Sequence, residues 1–201
     1  MTAQNQPSTD RVTKLTDIRW RREIPLWLKS EKLTILAEIG VRDGDHLHSL
    51  LKSNPEQMVA IDLWKDDGVL GHNDALFNQE QIERCYQKVC RLGEQHSCLE
   101  IYRGLSAEIA PHFSDGHFDF IYIDADHTYE GVCQDLELWW PKVRRGGVLS
   151  GHDYILRKNP KGLVFGVVPA VHEFIGRHFL QEQFYCTWPD EQPGNWFIRK
   201  T

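Results

Sequence analysis

"FDFIYIDADHTYEG" occupies residues 118–131, and its apolar run from Phe120 to Ile123 stops abruptly at Asp124, Asp126 and His127. Aromatic and β-branched residues in a short run bounded by polar ones form a buried strand. Carboxylates at the mouth of such a strand need hydrogen bonds, a cation or a ligand, because burying them unpaired is costly. One explanation is local: Asp and Thr are good N-caps, and a helical pattern starts near Thr128. The other is that this strand ends at a binding edge. What the neighbouring strands deliver to the same edge separates the two.

Strands and helices alternate outward from this stretch. "LTILAEIG" (33–40), "QMVAIDLW" (57–64), "SCLEIYRG" (97–104) and "GGVLSGHD" (146–153) have strand patterns. Helical patterns cover 45–54, 78–93, 106–113, 128–143 and 167–179; in the second, Ile82, Cys85, Val89 and Leu92 keep helical spacing and Gly93 is expected to end it. "QFYCTW" (183–188) and "NWFIRK" (195–200) flank the turn-rich "PDEQPG", which predicts an antiparallel hairpin. The fold class that follows is α/β: a Rossmann-like, doubly wound, mostly parallel seven-stranded sheet with a C-terminal antiparallel hairpin. The expected division is a tail and helical lead-in over residues 1–32, loose to about Asp10 and with Pro25 starting or dividing a helix, then one domain over 33–201.

At 201 residues the chain suits a single domain with a proper core. Its net charge of −6 argues against a general nucleic-acid or anionic-membrane binder. Residues 1–32 nevertheless carry seven Lys/Arg against four Asp/Glu, a basic start expected to be a solvated helix face. Five cysteines without a CxxC pair suit a reducing compartment, and no apolar run approaches the ~20 residues needed to cross a bilayer. The expected location is cytoplasmic. Trp residues around 139–140 and 188–196 could mark a dimer surface if exposed.

In an open α/β sheet the carboxyl ends of the parallel strands share one edge, and ligands bind outside it where strand order reverses. That edge is well furnished. Strand one ends in Glu38, Gly40 and Gly44, strand two in Asp62, and strand three in Gly104-Leu105-Ser106. Strand four ends in Asp124, Asp126 and His127, and strand five in His152-Asp153. Capping explains one or two of these, not all five strands. Asp62 lies 22 residues after Gly40, close to the ~20 expected for a carboxylate gripping ribose hydroxyls. The loop is G-x-x-x-G and lacks the G-x-G-x-x-G that packs a pyrophosphate, so a nucleoside without pyrophosphate fits better than a dinucleotide. Asp124, His152 and Asp153 offer two oxygens and a nitrogen suited to Mg²⁺, then Mn²⁺, less well to Zn²⁺ or Fe²⁺. A metal-free His–Asp hydrogen-bonded cluster is the alternative. His127, with an imidazole that titrates near neutrality, is a candidate general base.

Together "AEIGVRDG", "AIDLW", "GLS", "IDADHTYEGVCQDLELW" and "GGVLSGHDY" resemble the class I S-adenosylmethionine-dependent methyltransferases over about residues 33–200. The resemblance is nearest to the metal-dependent macrocin and mycinamicin O-methyltransferases, with catechol and caffeoyl-CoA enzymes more distant. It implies that Glu38, Gly40 and Gly44 hold the methionine part of S-adenosyl-L-methionine. Asp62 would take the ribose, with Trp64 and Leu105-Ser106 near the adenine. It also counts Asp124 with the cofactor site and as the first metal carboxylate, and makes His152 and Asp153 the other metal ligands. The catechol-type enzymes have Asp and Asn there, so His152 departs from them. His127 falls where those relatives use a lysine as base. The implied acceptor is a small hydroxylated molecule. Metal-independent or non-catalytic cofactor binding and a dinucleotide oxidoreductase are the alternatives.

Overall fold

Phe118–Ile123 forms β4, six residues all buried, at the centre of the sheet. Its neighbours are β1 (Ile35–Ile39) and β5 (Val143–Tyr154), both parallel to it, in registers that set Ile39 beside Ile123 and Gly151 beside Ile123. β2 (Gln57–Asp62) and β3 (Leu99–Arg103) extend the sheet beyond β1. β7 (Gly194–Arg199) runs antiparallel to β5 and pairs with β6 (Phe184–Cys186), the expected hairpin. The order is β3-β2-β1-β4-β5-β7-β6, so the strand order reverses between β1 and β4. This computed structural model describes residues 12–66, 68, 77–158, 162, 164–187 and 189–201; the expected loose tail (1–10) and most of the Gly-containing stretch "KDDGVLGHND" (65–74) lie outside the described residues.

Alternation along the strands divides the core in two. Ile121 and Ile123 of β4 face one side, against α5 (Tyr129–Trp139) and α6 (Val167–His178). Phe120 and Tyr122 face the other, against α1 (Ile24–Glu31), α2 (Asp45–Leu51) and α3 (Gln79–Gln95). This period-two partition is what a strand covered on both faces requires. A one-turn α4 (Ser106–Ile109) follows β3. The lead-in packs into the second layer: Ile18, Ile24, Trp27 and Leu28 are fully buried, and Trp27 meets Phe120 edge-on at 5.9 Å between centroids. Burying Ile24 and Leu28 contributes about 1.5–3 kcal/mol each.

Three expectations change. α3 runs through Gly93 to Gln95; a Cβ at Gly93 would lie 3.0 Å from the Ile101 side chain, so this glycine serves close helix–strand packing. Trp139 and Trp196 are core residues, at 0% and 1% exposure, and offer no dimer surface; Trp188 lies outside the described residues. The basic start is only partly solvated, because Arg21 turns inward.

Candidate active site

The reversal between β1 and β4 opens a cavity of about 820 Å³ along the carboxyl ends of the strands. Gly40 forms its floor at φ +85°, and a Cβ there would sit 2.2 Å from the Asp124 carbonyl oxygen. Glycine is required because the β1 loop crosses directly over the end of β4. Gly44 caps α2 at φ +79°, with the Val89 side chain 2.9 Å from its Cβ position.

Asp62 organises the far side of this loop. Its Oδ2 accepts from the Arg42 backbone N–H at 2.7 Å and its Oδ1 from that of Trp64 at 2.8 Å. Both donors belong to residues at positive φ, +51° and +43°. Burial raises the Asp62 pKa, and the N–H groups of Arg42, Trp64 and Val41 offset only part of that rise. Trp64 is 2% exposed and donates its indole N–H to the Arg42 carbonyl at 2.7 Å, so it supports the wall more than it faces the cavity. The Ser106 hydroxyl donates to Asp135 at 2.5 Å and accepts from the Trp139 indole at 2.7 Å. Leu105, 38% exposed, is the apolar group that this turn offers the cavity.

Beneath the loop, the buried Glu38 meets His46 through Oε1 and Nδ1 at 2.9 Å. Burial first, with added repulsion from Asp124, Asp62 and Asp43, raises the Glu38 pKa well above the carboxylate range despite the opposing Arg21 charge. Burial, reinforced by Arg21, likewise keeps His46 well below the usual imidazole value.

β4 and β5 supply the second half. Asp124, His152 and Asp153 bring donor atoms within 4.8 Å of one another, and His127 joins them, its Nε2 3.0 Å from Asp153 Oδ2 and 3.3 Å from Asp124 Oδ1. His152 Nδ1 lies 3.8 Å from Asp124 Oδ1 and 3.7 Å from Asp153 Oδ2. The outer oxygens are held by arginines: Arg21 donates to Asp124 Oδ2 at 2.7 Å and Arg157 to Asp153 Oδ1 at 3.0 Å. Burial alone would raise the Asp124 pKa, but the His127 hydrogen bond and the charge of Arg21 outweigh it and bring it to about 2. Asp153 is depressed further, with burial again opposed by His127 and His152. Phe165 stacks on the His127 ring at 4.7 Å and 9°, with the Arg157 guanidinium 4.5 Å from the Phe165 centroid. Asp126 has the local role considered at the outset: it accepts from the Thr128 N–H and hydroxyl at 2.8 and 2.9 Å, while Thr128 caps α5.

Of the residues singled out in the sequence, Glu38, Gly40, Asp62, Trp64, Leu105, Ser106, Asp124, His127, His152 and Asp153 line one cavity; Gly44 does not, and instead caps α2 against the Val89 side chain. Its lining also includes residues that the sequence did not single out as ligands, Arg21, His46, Arg157 and Phe165 among them. Arg21 belongs to a basic cluster visible in the sequence. No spacing rule identifies His46, and Phe165 and Arg157 reach the site through the β5–α6 connection.

The family model described as "Methyltransferase domain" (methyltransferase family 24) matches residues 37–154. No curated protein matches significantly in sequence. Among solved structures, the O-methyltransferase NovP superposes with a TM-score of 0.63 at 16% identity, over 90% of this chain and 78% of that one. TomG of Streptomyces achromogenes, an O-methyltransferase of tomaymycin synthesis solved with S-adenosylmethionine, gives 0.59 at 14%, over 90% and 79%. Spermidine synthase from Thermotoga maritima gives 0.54 at 19%, over 89% of this chain and 57% of that enzyme. At these identities the superpositions establish a shared fold. With more than half its length inside the family model and the strand order above, the chain belongs to the methyltransferase-domain family and is a Rossmann-like, S-adenosylmethionine-dependent methyltransferase.

Proposed function

We propose that the protein transfers a methyl group to a hydroxyl of a small molecule, with Asp124, His152 and Asp153 as ligands of Mg²⁺ or Mn²⁺ and His127 as the proton acceptor. The observation that carries this reading is the four-residue cluster at the ends of β4 and β5, in the same cavity as Gly40 and Asp62. The catalytic unit is residues 33–201, with Arg21 contributed by the lead-in. Five free cysteines support a reducing, cytoplasmic setting, and no helix among the described residues is long and apolar enough to cross a membrane.

The donor set suits a hard cation. Two carboxylate oxygens and an imidazole nitrogen within 4.8 Å of one another would hold it. Such a cation lowers the acceptor hydroxyl's pKa and orients it. The protein's own groups do the remainder. Asp62, Glu38 and the glycine loop hold the donor at the ends of β1 and β2. Displacement then needs in-line placement of the acceptor, which the cavity walls restrict. His127, whose Nε2–H faces Asp153 and Asp124 and whose ring stacks on Phe165, takes the hydroxyl proton at its other ring nitrogen.

A second reading rests on a specific observation. Arg21 and Arg157 already pair with Asp124 and Asp153, two charges against two, which favours a metal-free site where His127 acts with the carboxylates alone. Methyl transfer to a panel of catechols, phenols and sugar hydroxyls, run with EDTA and then with added Mg²⁺ or Mn²⁺, separates the two. Chelation should abolish turnover and Mg²⁺ restore it. Full activity in EDTA, with no heat of Mg²⁺ binding by calorimetry, would leave the metal-free reading.

A further inference from the structure

Among the described residues, the Lys and Arg side chains that line the cavity are Arg21, Arg42, Lys65, Arg157 and Lys158, and they are not equally engaged. Arg21 and Arg157 hold Asp124 and Asp153, and Arg42 lies 3.8 Å from Asp43. Lys65 and Lys158 have no carboxylate partner among the described residues. Lys65 follows Trp64 on the donor side. Lys158 stands on the acceptor side, and its backbone is tied there. β5 ends at Tyr154; beyond it the Phe165 N–H donates to the Arg157 carbonyl at 2.9 Å, and Lys158 bridges antiparallel to Val164. The Gly166 N–H then donates to the His127 carbonyl at 2.7 Å, so this segment is fastened to the loop that carries His127.

The charges around Lys158 decide what it can meet. Left unpaired, Asp124 and Asp153 would repel any anion from this half of the cavity. Their outer oxygens are on Arg21 and Arg157 at 2.7 and 3.0 Å, and their inner oxygens face His127 and His152. Arg157 spends one donor on Asp153 and keeps 44% of its side chain exposed, which leaves N–H groups beside Lys158. The third carboxylate of this half, Asp126, is committed to Thr128. Three carboxylates thus stand against Arg21, Arg157 and Lys158. A divalent cation on the metal ligands adds two positive charges that these side chains do not answer. Ionising the acceptor hydroxyl supplies one negative charge, and one is still wanting.

We infer that the acceptor is itself an anion: a hydroxylated molecule whose carboxylate or phosphate is received by Lys158 and the exposed N–H groups of Arg157 while its hydroxyl faces His127. The inference rests on the β4–β5 half of the cavity being the acceptor site. Lys158 is then a specificity-determining residue that touches neither the donor nor the reacting oxygen. A neutral acceptor leaves it without a partner, and a cationic one meets two like charges.

Calorimetric titration of the full chain, loaded with S-adenosylhomocysteine and Mg²⁺, tests this with matched probes. Catechol is compared with protocatechuate, which adds a carboxylate, and with dihydroxybenzylamine, which adds an ammonium; glucose is compared with glucose 6-phosphate. At least one anion should bind about fivefold to a hundredfold more tightly than its neutral partner, and the amine more weakly than catechol. Which pair shows the preference tells a carboxylate from a phosphate. High salt should shrink it, because an exposed lysine is screened. Lys158→Ala should remove most of the preference and Lys158→Glu reverse it. S-adenosylhomocysteine affinity within about threefold of wild type reports that both variants are folded. Anions bound no more tightly than their neutral partners, no anion bound at all, or a preference that Lys158→Glu leaves intact would each overturn the inference. Methyl transfer to neutral hydroxyls would in that case leave the proposed function standing, whereas a wild type that fails to bind S-adenosylhomocysteine would remove the donor site and this inference together.

Discussion

Asp62→Asn separates a ligand-gripping carboxylate from one that merely clips two loops together. The substitution keeps one oxygen acceptor and turns the other into an N–H₂ group facing the backbone N–H of Arg42 or Trp64, now bonded at 2.7 and 2.8 Å. Losing a bond to a charged acceptor costs about 1.5–3 kcal/mol. The raised pKa of Asp62 shows that burying its charge costs more than the backbone donors return, and the amide is spared that cost. The two changes oppose, so stability without ligand should move by no more than about 1 kcal/mol, or about 2–4 °C in Tm. Binding has no such offset. In the ribose reading the carboxylate accepts from the sugar hydroxyls, and replacing it should weaken S-adenosylhomocysteine by about 1.5–3 kcal/mol, roughly 10- to 150-fold. Calorimetric Kd and scanning calorimetry on the same preparations measure both. A Kd within about threefold of wild type, or a Tm loss large enough to follow unfolding, would refute the ribose assignment. The pH dependence gives a further check. A carboxyl whose folded pKa is raised holds its proton more tightly when folded. It therefore contributes stability below its unfolded pKa that is lost as pH rises through the folded value. Asp62→Asn should remove that loss, and ligand-free stability should fall less steeply with rising pH above the ordinary carboxylate range.

Other outcomes follow from the same geometry. His127→Ala should lower kcat by about 10²–10⁴ with the affinity for S-adenosylhomocysteine unchanged, measured by single-turnover transfer and calorimetry. Gly40→Ala places a methyl 2.2 Å from the Asp124 carbonyl at φ +85°; it should abolish donor binding in titration and lower Tm measurably. Phe165→Ala removes the ring stacked on His127 and should reduce kcat more than KM, whereas an equal effect on both would make Phe165 an acceptor contact.

The mostly parallel sheet, its C-terminal hairpin and the cavity edge were legible because alternation and helical period survive in the sequence wherever one layer covers another. Asp62 could be placed for the same reason: the interval from Gly40 spans one β-loop-α-β unit. Asp124 and Asp126 look alike as letters, yet one joins the site cluster and the other caps a helix. Only the Thr128 contacts distinguish them. Arg21 was not legible as a cavity residue because its partner Asp124 lies 103 positions away, across a contact that no local pattern records. His46 fares no better, since one imidazole in the first turn of a helix reads as a surface residue until Glu38 is seen beneath it. Gly93 misled because a packing glycine and a helix-stopping glycine have the same signature.

The tie between the lead-in and the β6–β7 turn bears on how the molecule is made. The Arg21 backbone donates to Glu191, Arg19 pairs with Asp190, and the Tyr185 hydroxyl reaches the Ile18 carbonyl, contacts spanning 167–171 positions. Glu191 is in turn held by Asn195, which accepts from Tyr122 on the central strand. Arg21 therefore takes its place only after the chain has been made through the hairpin. At ordinary translation rates that is about ten to thirty seconds after Arg21 itself is synthesised. During that interval β1, β2 and the glycine loop can assemble from nearer contacts, but Asp124 waits for its arginine. Refolding should show the same order, with tryptophan burial in the sheet preceding recovery of donor binding, because closing the longest loop is the slow step.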